Sequence, residues 1–168
     1  VVRARSTKAL LVIAELLRAA ASDEFENRPA LAKALAPHST RIAKQLSQGA
    51  RLEKVAAAQV LRALARCPDA NGALCDACLD ACADALFTHP HADVLHVHCA
   101  DVLLAIIDRK PLHAHAAKRL ERLLFRDNST EGGLLSRIRS TLTGLERPTN
   151  SRDAHLVVLG EAVCAALR

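Results

Sequence analysis

Ala58-Gln-Val-Leu-Arg-Ala-Leu64 recurs as Ala100-Asp-Val-Leu-Leu-Ala-Ile106, at an offset of 42 residues. Both stretches place apolar residues at i, i+3 and i+6 with Ala at the first position, the spacing of a helix that buries one face. The copies sit inside longer helix-like segments. In 51–66 the residues Leu52, Val55, Ala56, Gln59, Val60, Ala63 and Leu64 form the expected buried stripe, with Arg62 and Arg66 outside it. In 92–108 the residues Leu95, Cys99, Val102, Leu103, Ile106 and Ile107 form the main stripe, while Val97 and Leu104 lie on the opposite side. A helix that is apolar on two sides needs neighbours on both, and stacked helical layers provide them.

The rest of the chain fits this frame. Ala and Leu dominate, while Gly and Pro number only six each among 168 residues, a helix-forming balance. Pro29, Pro37, Pro68, Pro90, Pro111 and Pro148, together with Gly49 and Gly132-Gly133, interrupt the apolar periodicity. The segments between these breaks predict helices near 6–21, 29–36, 39–48, 51–66, 71–87, 92–108, 111–126, 133–146 and 152–167. Asn71, Ser151, and Ser129 or Thr130 stand where amide caps are expected. Phe87 and Phe125 each end a helix, 38 residues apart, so the chain divides into units near 1–49, 50–90, 91–130 and 131–168.

Units of about 40 residues built from paired helices resemble armadillo and HEAT repeats. That resemblance implies an all-α fold, a right-handed α-solenoid of about four stacked repeats, acting as a non-enzymatic protein–protein interaction scaffold. A compact helical bundle is the alternative architecture. A second, local resemblance lies in residues 119–147, RLERLLFRDNSTEGGLLSRIRSTLTGLER, and in Ala100-Asp-Val-Leu-Leu-Ala-Ile-Ile107. These look like part of the SAPS-domain regulatory subunits of protein phosphatases and imply an adaptor role.

Charge is partitioned along the chain more sharply than its total of +5 conveys. Residues 1–68 carry a net +7, residues 69–108 carry seven Asp and no Lys or Arg, and residues 109–168 carry a net +5. Within the acidic middle, Asp76, Asp80 and Asp84 recur every four residues and form one row on a helix. The plain reading of that row is a solubilising face; the functional one is a docking strip for a basic partner, extended by Asp69, Asp93, Asp101 and Asp108. Arg62 with Arg66, and Lys118 with Arg122 and Arg126, form basic rows that are either solvated faces or contacts for acidic peptides or phosphates. These eight side chains, three Asp and five bases, are the candidate partner-binding residues. Trp and Tyr are absent and Phe numbers three, which disfavours both stacking on single-stranded nucleic acid and the Trp-lined peptide grooves of nuclear-transport armadillo proteins.

Cys75, Cys78 and Cys82, followed by His89, His91, His96, His98 and Cys99, are the densest soft-metal ligands. The three thiols share a helical stripe with Leu79 and Leu86, so they are expected to be core residues, and no metal or other cofactor is expected. A Cys/His metal module and a nucleic-acid-binding domain using the basic ends are the alternatives. The histidines are expected at caps, loops and margins. There is no glycine-rich phosphate loop, nucleophile elbow or H-E-x-x-H pair, so no catalytic residue is assigned. Free-thiol spacing and the lack of a membrane-length apolar run point to a cytoplasmic or nuclear protein without a membrane partner. Glu15 and Arg18 break the apolar stretch of the first twenty residues, which is expected to be a first core helix rather than a leader.

Overall fold

A computed structural model describes residues 8, 9, 11, 12, 28–66, 74, 76–88, 93–107, 114–125, 133–143 and 150–166. Among these the protein is all-helical, with eight α-helices and no strand. They are α1 (Arg28–Leu35), α2 (Ser39–Gln48), α3 (Arg51–Arg66), α4 (Asp76–Thr88), α5 (Asp93–Ile107), α6 (Ala114–Phe125), α7 (Leu134–Leu142) and α8 (Ser151–Ala166), with a short 3₁₀ turn at Ala36–His38 between α1 and α2. Of the expected first helix, only Lys8, Ala9, Leu11 and Val12 are described, and they are helical. The other helices lie where the sequence places them, with shifted ends. Leu74 is buried but not helical, so α4 starts at Asp76.

Local chemistry sets several boundaries. Between α2 and α3, Gly49 turns the chain so tightly that an added Cβ would lie 2.4 Å from the Gln45 carbonyl oxygen and 2.9 Å from Glu53 Cβ. Its φ of −68° suits any residue, so close approach and not backbone strain selects glycine. Glu53 then reaches back to accept a 2.8 Å hydrogen bond from the Ala50 N–H, half of a capping box. At α8 the cap is Asn150 rather than the expected Ser151: Asn150 Oδ1 accepts the Asp153 N–H at 2.9 Å, and Ser151 is already helical. Glu53 and Asp153 are both buried in the first turn of their helices, where the positive end of the helix dipole offsets the loss of water. Asn71, Ser129 and Thr130 lie outside the described residues.

Packing follows a regular scheme. Neighbouring helices pair as α2 with α3, α4 with α5, and α7 with α8. Helices also pack across these pairs: α2 on α4, α3 on α5, α4 on α6, and α5 on α8. One continuous apolar core runs through all of them, from Leu35 and Leu46 through Leu61, Leu86 and Leu103 to Leu124, Leu156 and Val163. Each fully buried Leu contributes roughly 1.5–3 kcal/mol relative to exposure.

The buried face of α3 differs from the expected stripe. Ala56, Ala57, Ala58, Val60, Leu61, Leu64 and Ala65 are buried, whereas Leu52 is 73% exposed and Val55, Gln59 and Ala63 are only half-buried. The cause is double-sided packing. With α2 on one flank and α5 on another, α3 hides a wide arc, and its four buried alanines let the neighbours approach closely. The uncovered arc is the stripe Leu52, Val55, Gln59, Arg62, Arg66. On α5 the corresponding uncovered stripe is Val94, Val97, Asp101, Leu104, with Val94 exposed and the other three half-buried. Its members repeat the first four positions of the α3 stripe at the 42-residue offset.

Candidate interaction surface

The two uncovered stripes meet at a charged cluster. Arg62 Nη2 lies 2.7 Å and Arg66 Nη2 lies 3.0 Å from the same carboxylate oxygen, Asp101 Oδ2. Arg62 also places Nη1 3.2 Å from His98 Nδ1. A guanidinium only donates, so Nδ1 is the acceptor and the neutral imidazole carries its proton on Nε2. His98 is buried, and its pKa is lowered from the ordinary 6.5, first by burial and then by the Arg62 charge, with Asp101 pulling the other way. Half-buried apolar side chains share the two helices with the cluster, Val55 and Ala63 on α3 and Val97, Leu104 and Ala105 on α5, and all but Val97 also pack against the core.

The acidic row of α4 is met by arginines from later helices. Asp76 pairs with Arg122 of α6 at 3.2 Å, and Asp84 pairs with Arg137 of α7 at 2.6 Å. The Arg137 guanidinium also lies 4.3 Å from the centre of the Phe87 ring, so it is held by a charge and a π face at once. Asp80, between the two pairs, is half-buried. The acidic middle of the chain is therefore clasped on both sides by basic neighbours: Arg62 and Arg66 before it, Arg122 and Arg137 after it.

The eight sequence-selected residues thus separate into groups. Arg62 and Arg66 converge on one carboxylate; Asp76, Asp84 and Arg122 join interhelix pairs; Asp80 remains in the row between them. Lys118 is exposed on α6, and Arg126 lies outside the described residues. Three contributors stand outside the rows visible in the sequence: Arg137 belongs to no basic row, His98 is buried rather than at a helix margin, and Asp101 joins two arginines rather than the acidic strip. The available signal was the repeat period, since Arg62 and Asp101 stand 39 residues apart and opposite charges about one period apart meet across adjacent helices.

Cys78, Cys82 and Cys99 are fully buried. Cys78 donates to the Ser39 carbonyl of α2 at 3.3 Å, also across 39 residues. A hydrogen bond with Cys99, reinforced by burial, pushes the Cys82 thiol well above its ordinary pKa, which keeps it protonated and unreactive. Cys164 is exposed on α8, and Cys75 lies outside the described residues. His96 is also fully buried, a second departure from the expected margin position. Among the described residues, no group of three or more His, Cys, Asp or Glu is arranged to hold a metal ion, and no helix is long and apolar enough to cross a membrane.

No protein-family model, curated protein or solved structure matches the chain.

Proposed function

We propose that the protein is a helical-repeat scaffold of the armadillo/HEAT type that binds a partner's peptide segment along the uncovered faces of α3 and α5, and that it acts by binding rather than by catalysis. Support for stacked repeats comes from the packing scheme. Helix pairs α2/α3, α4/α5 and α7/α8 form hairpins, and each hairpin's second helix packs on the next one's second helix, α3 on α5 and α5 on α8. The layers this favours run 28–66, 76–107 and 114–166, about half a unit out of phase with the division drawn from the sequence repeat alone.

The observation that carries the functional reading is the shared stripe at a 42-residue offset. Leu52, Val55, Gln59 and Arg62 on α3 are matched by Val94, Val97, Asp101 and Leu104 on α5, all at least partly open to solvent. A ridge of side chains that stays partly open, with Val55 and Leu104 packing on the core by one side only, and that repeats one layer later, is the surface a repeat protein offers to an extended ligand. Leu52 and Val94 are exposed apolar side chains at equivalent positions of the two helices, and exposed apolar surface of this kind is what a partner can cover.

Selection of a randomised dodecapeptide library on the immobilised protein tests this. Enriched peptides should lose at least about tenfold in affinity to a Val97→Asp, Leu104→Asp variant, about 1.4 kcal/mol or more. The variant's helical circular dichroism must match that of the unaltered protein for the comparison to count, since Leu104, although half-open, also packs against the core. Failure to enrich any peptide, or binders indifferent to the two substitutions, would remove the reading.

A further inference from the structure

We infer that Arg62 and Arg66 form a carboxylate-reading anchor, so that the segment docked on α3 and α5 carries an Asp or Glu flanked by aliphatic residues. The inference rests on the docking reading above and names the chemistry of its occupant.

It starts from an imbalance of charge. Two guanidinium groups converge on one oxygen of one carboxylate, Asp101 Oδ2. The other charge-bearing neighbour, His98, is neutral in this setting and accepts from Arg62. Among the described residues the cluster therefore keeps one positive charge, and the half-buried Val55, Ala63, Val97, Leu104 and Ala105 on the same two helices bring no charge to answer it. Arg66 is the open arm: its side chain is 54% exposed, against 30% for Arg62. The Arg66 fork uses one nitrogen toward Asp101 and has further N–H groups for an incoming carboxylate, which an Arg fork accepts bidentately.

Pre-organisation favours binding at this point. Arg62 is fixed at both ends of its fork, by His98 and by Asp101, and Arg66 is tethered to that same carboxylate oxygen. Little rotamer freedom remains to be lost in Arg62 when a ligand arrives, and Arg66 starts from an orientation beside it. The apolar rim lowers the local dielectric, strengthening a charge-assisted contact relative to one in open water. The same rim selects the ligand class. A nucleic-acid backbone presents a phosphate at every step and is gripped by rows of bases, whereas this face offers one net charge between aliphatic walls. One carboxylate with Leu-, Val- or Ile-like neighbours matches both properties.

The test is a double-mutant cycle on library-selected peptides. Enriched sequences should share an Asp or Glu next to aliphatic residues. Changing that residue to Asn or Gln should weaken binding about tenfold, as should Arg66→Gln in the protein. The two changes together should cost little more than either alone, because they remove the same contact. Arg66→Lys, which keeps the charge and loses the fork, should fall between wild type and Arg66→Gln. Enriched peptides without an acidic residue, or losses that simply add, would overturn the anchor. Binders sensitive to Leu104→Asp yet indifferent to Arg66→Gln would leave the docking face standing and remove the anchor alone; indifference to both would remove both. Tight binding of an oligothymidine strand that depends on Arg66, with no peptide enriched, would assign the cluster to phosphate and also overturn the proposal.

Discussion

Replacing Asp101 with Asn is the sharpest perturbation of the α3–α5 contact. The side chain keeps its shape, but the shared acceptor loses its charge, leaving Arg62 and Arg66 to face each other across a neutral amide. The magnitude follows from exposure. The Arg62 pair, at 2.7 Å and with side chains 30% and 22% exposed, lies between a surface ion pair and a buried one. Surface pairs contribute about 0.2–1 kcal/mol and charge-assisted buried hydrogen bonds about 1.5–3 kcal/mol. About 1 kcal/mol for this arm is a discounted figure. The Arg66 arm is more than half exposed and adds about 0.3–0.5 kcal/mol.

Repulsion between the orphaned guanidiniums brings the expected loss to about 1.5–2 kcal/mol. In equilibrium urea unfolding, with a slope of about 2 kcal/mol/M, the midpoint should fall by about 0.7–1 M at unchanged slope. Salt separates the arms, because the exposed Arg66 contribution should fade at high ionic strength while most of the Arg62 contribution persists. Adding Arg66→Gln to Asp101→Asn should restore part of the stability by removing one of the two repelling charges, although the same change alone is mildly destabilising. A loss under about 0.3 kcal/mol at low salt, or a double variant weaker than Asp101→Asn alone, would refute this account of the brace.

Three further outcomes are expected. Gly49→Ala should destabilise by about 1–3 kcal/mol in urea unfolding, since its Cβ would collide with the Gln45 carbonyl, which closes the end of α2, and with Glu53, which caps the start of α3. Gly160→Ala, in the interior of α8, should instead stabilise by about 0.5–1 kcal/mol, because its new methyl meets Ile138 at an ordinary 3.5 Å and the helix gains propensity. The folded-state pKa of His98 lies below the ordinary 6.5, so the unfolded chain takes the proton first; this contribution is complete above about pH 6.5 and is lost as pH falls toward the folded value. Thermal denaturation against pH should show that slope, and His98→Gln should flatten it.

Helices were legible in the sequence because Pro and Gly interrupt a strong apolar period, and 39–48 and 51–66 match α2 and α3 end to end. Which side of a helix is covered was less legible. On α3, Ala57, Ala58 and Ala65 are apolar at angles that a one-sided stripe treats as background, and only the arrival of α5 beside α2 makes them core. The core position of Cys78 and Cys82 was readable from their shared stripe with Leu79 and Leu86. His96 and His98 were not, since an imidazole on an apolar helix is placed by neighbours the local pattern does not contain. Charge was legible as blocks and illegible as pairs. The acidic middle reads as a strip open to solvent, yet Asp76, Asp84 and Asp101 find arginines 35 to 53 residues away. Only the fold sets such distances.

The central claim, that a partner lies along the uncovered faces of α3 and α5, is tested most directly by backbone amide NMR during titration with a library-selected peptide. Perturbations should concentrate at Val55, Gln59, Arg62 and Arg66 on α3 and at Val97, Asp101 and Leu104 on α5, with the outer row Asp76, Asp80 and Asp84 unmoved. Perturbations gathered on that acidic row and on α7, with α3 and α5 silent, would contradict it.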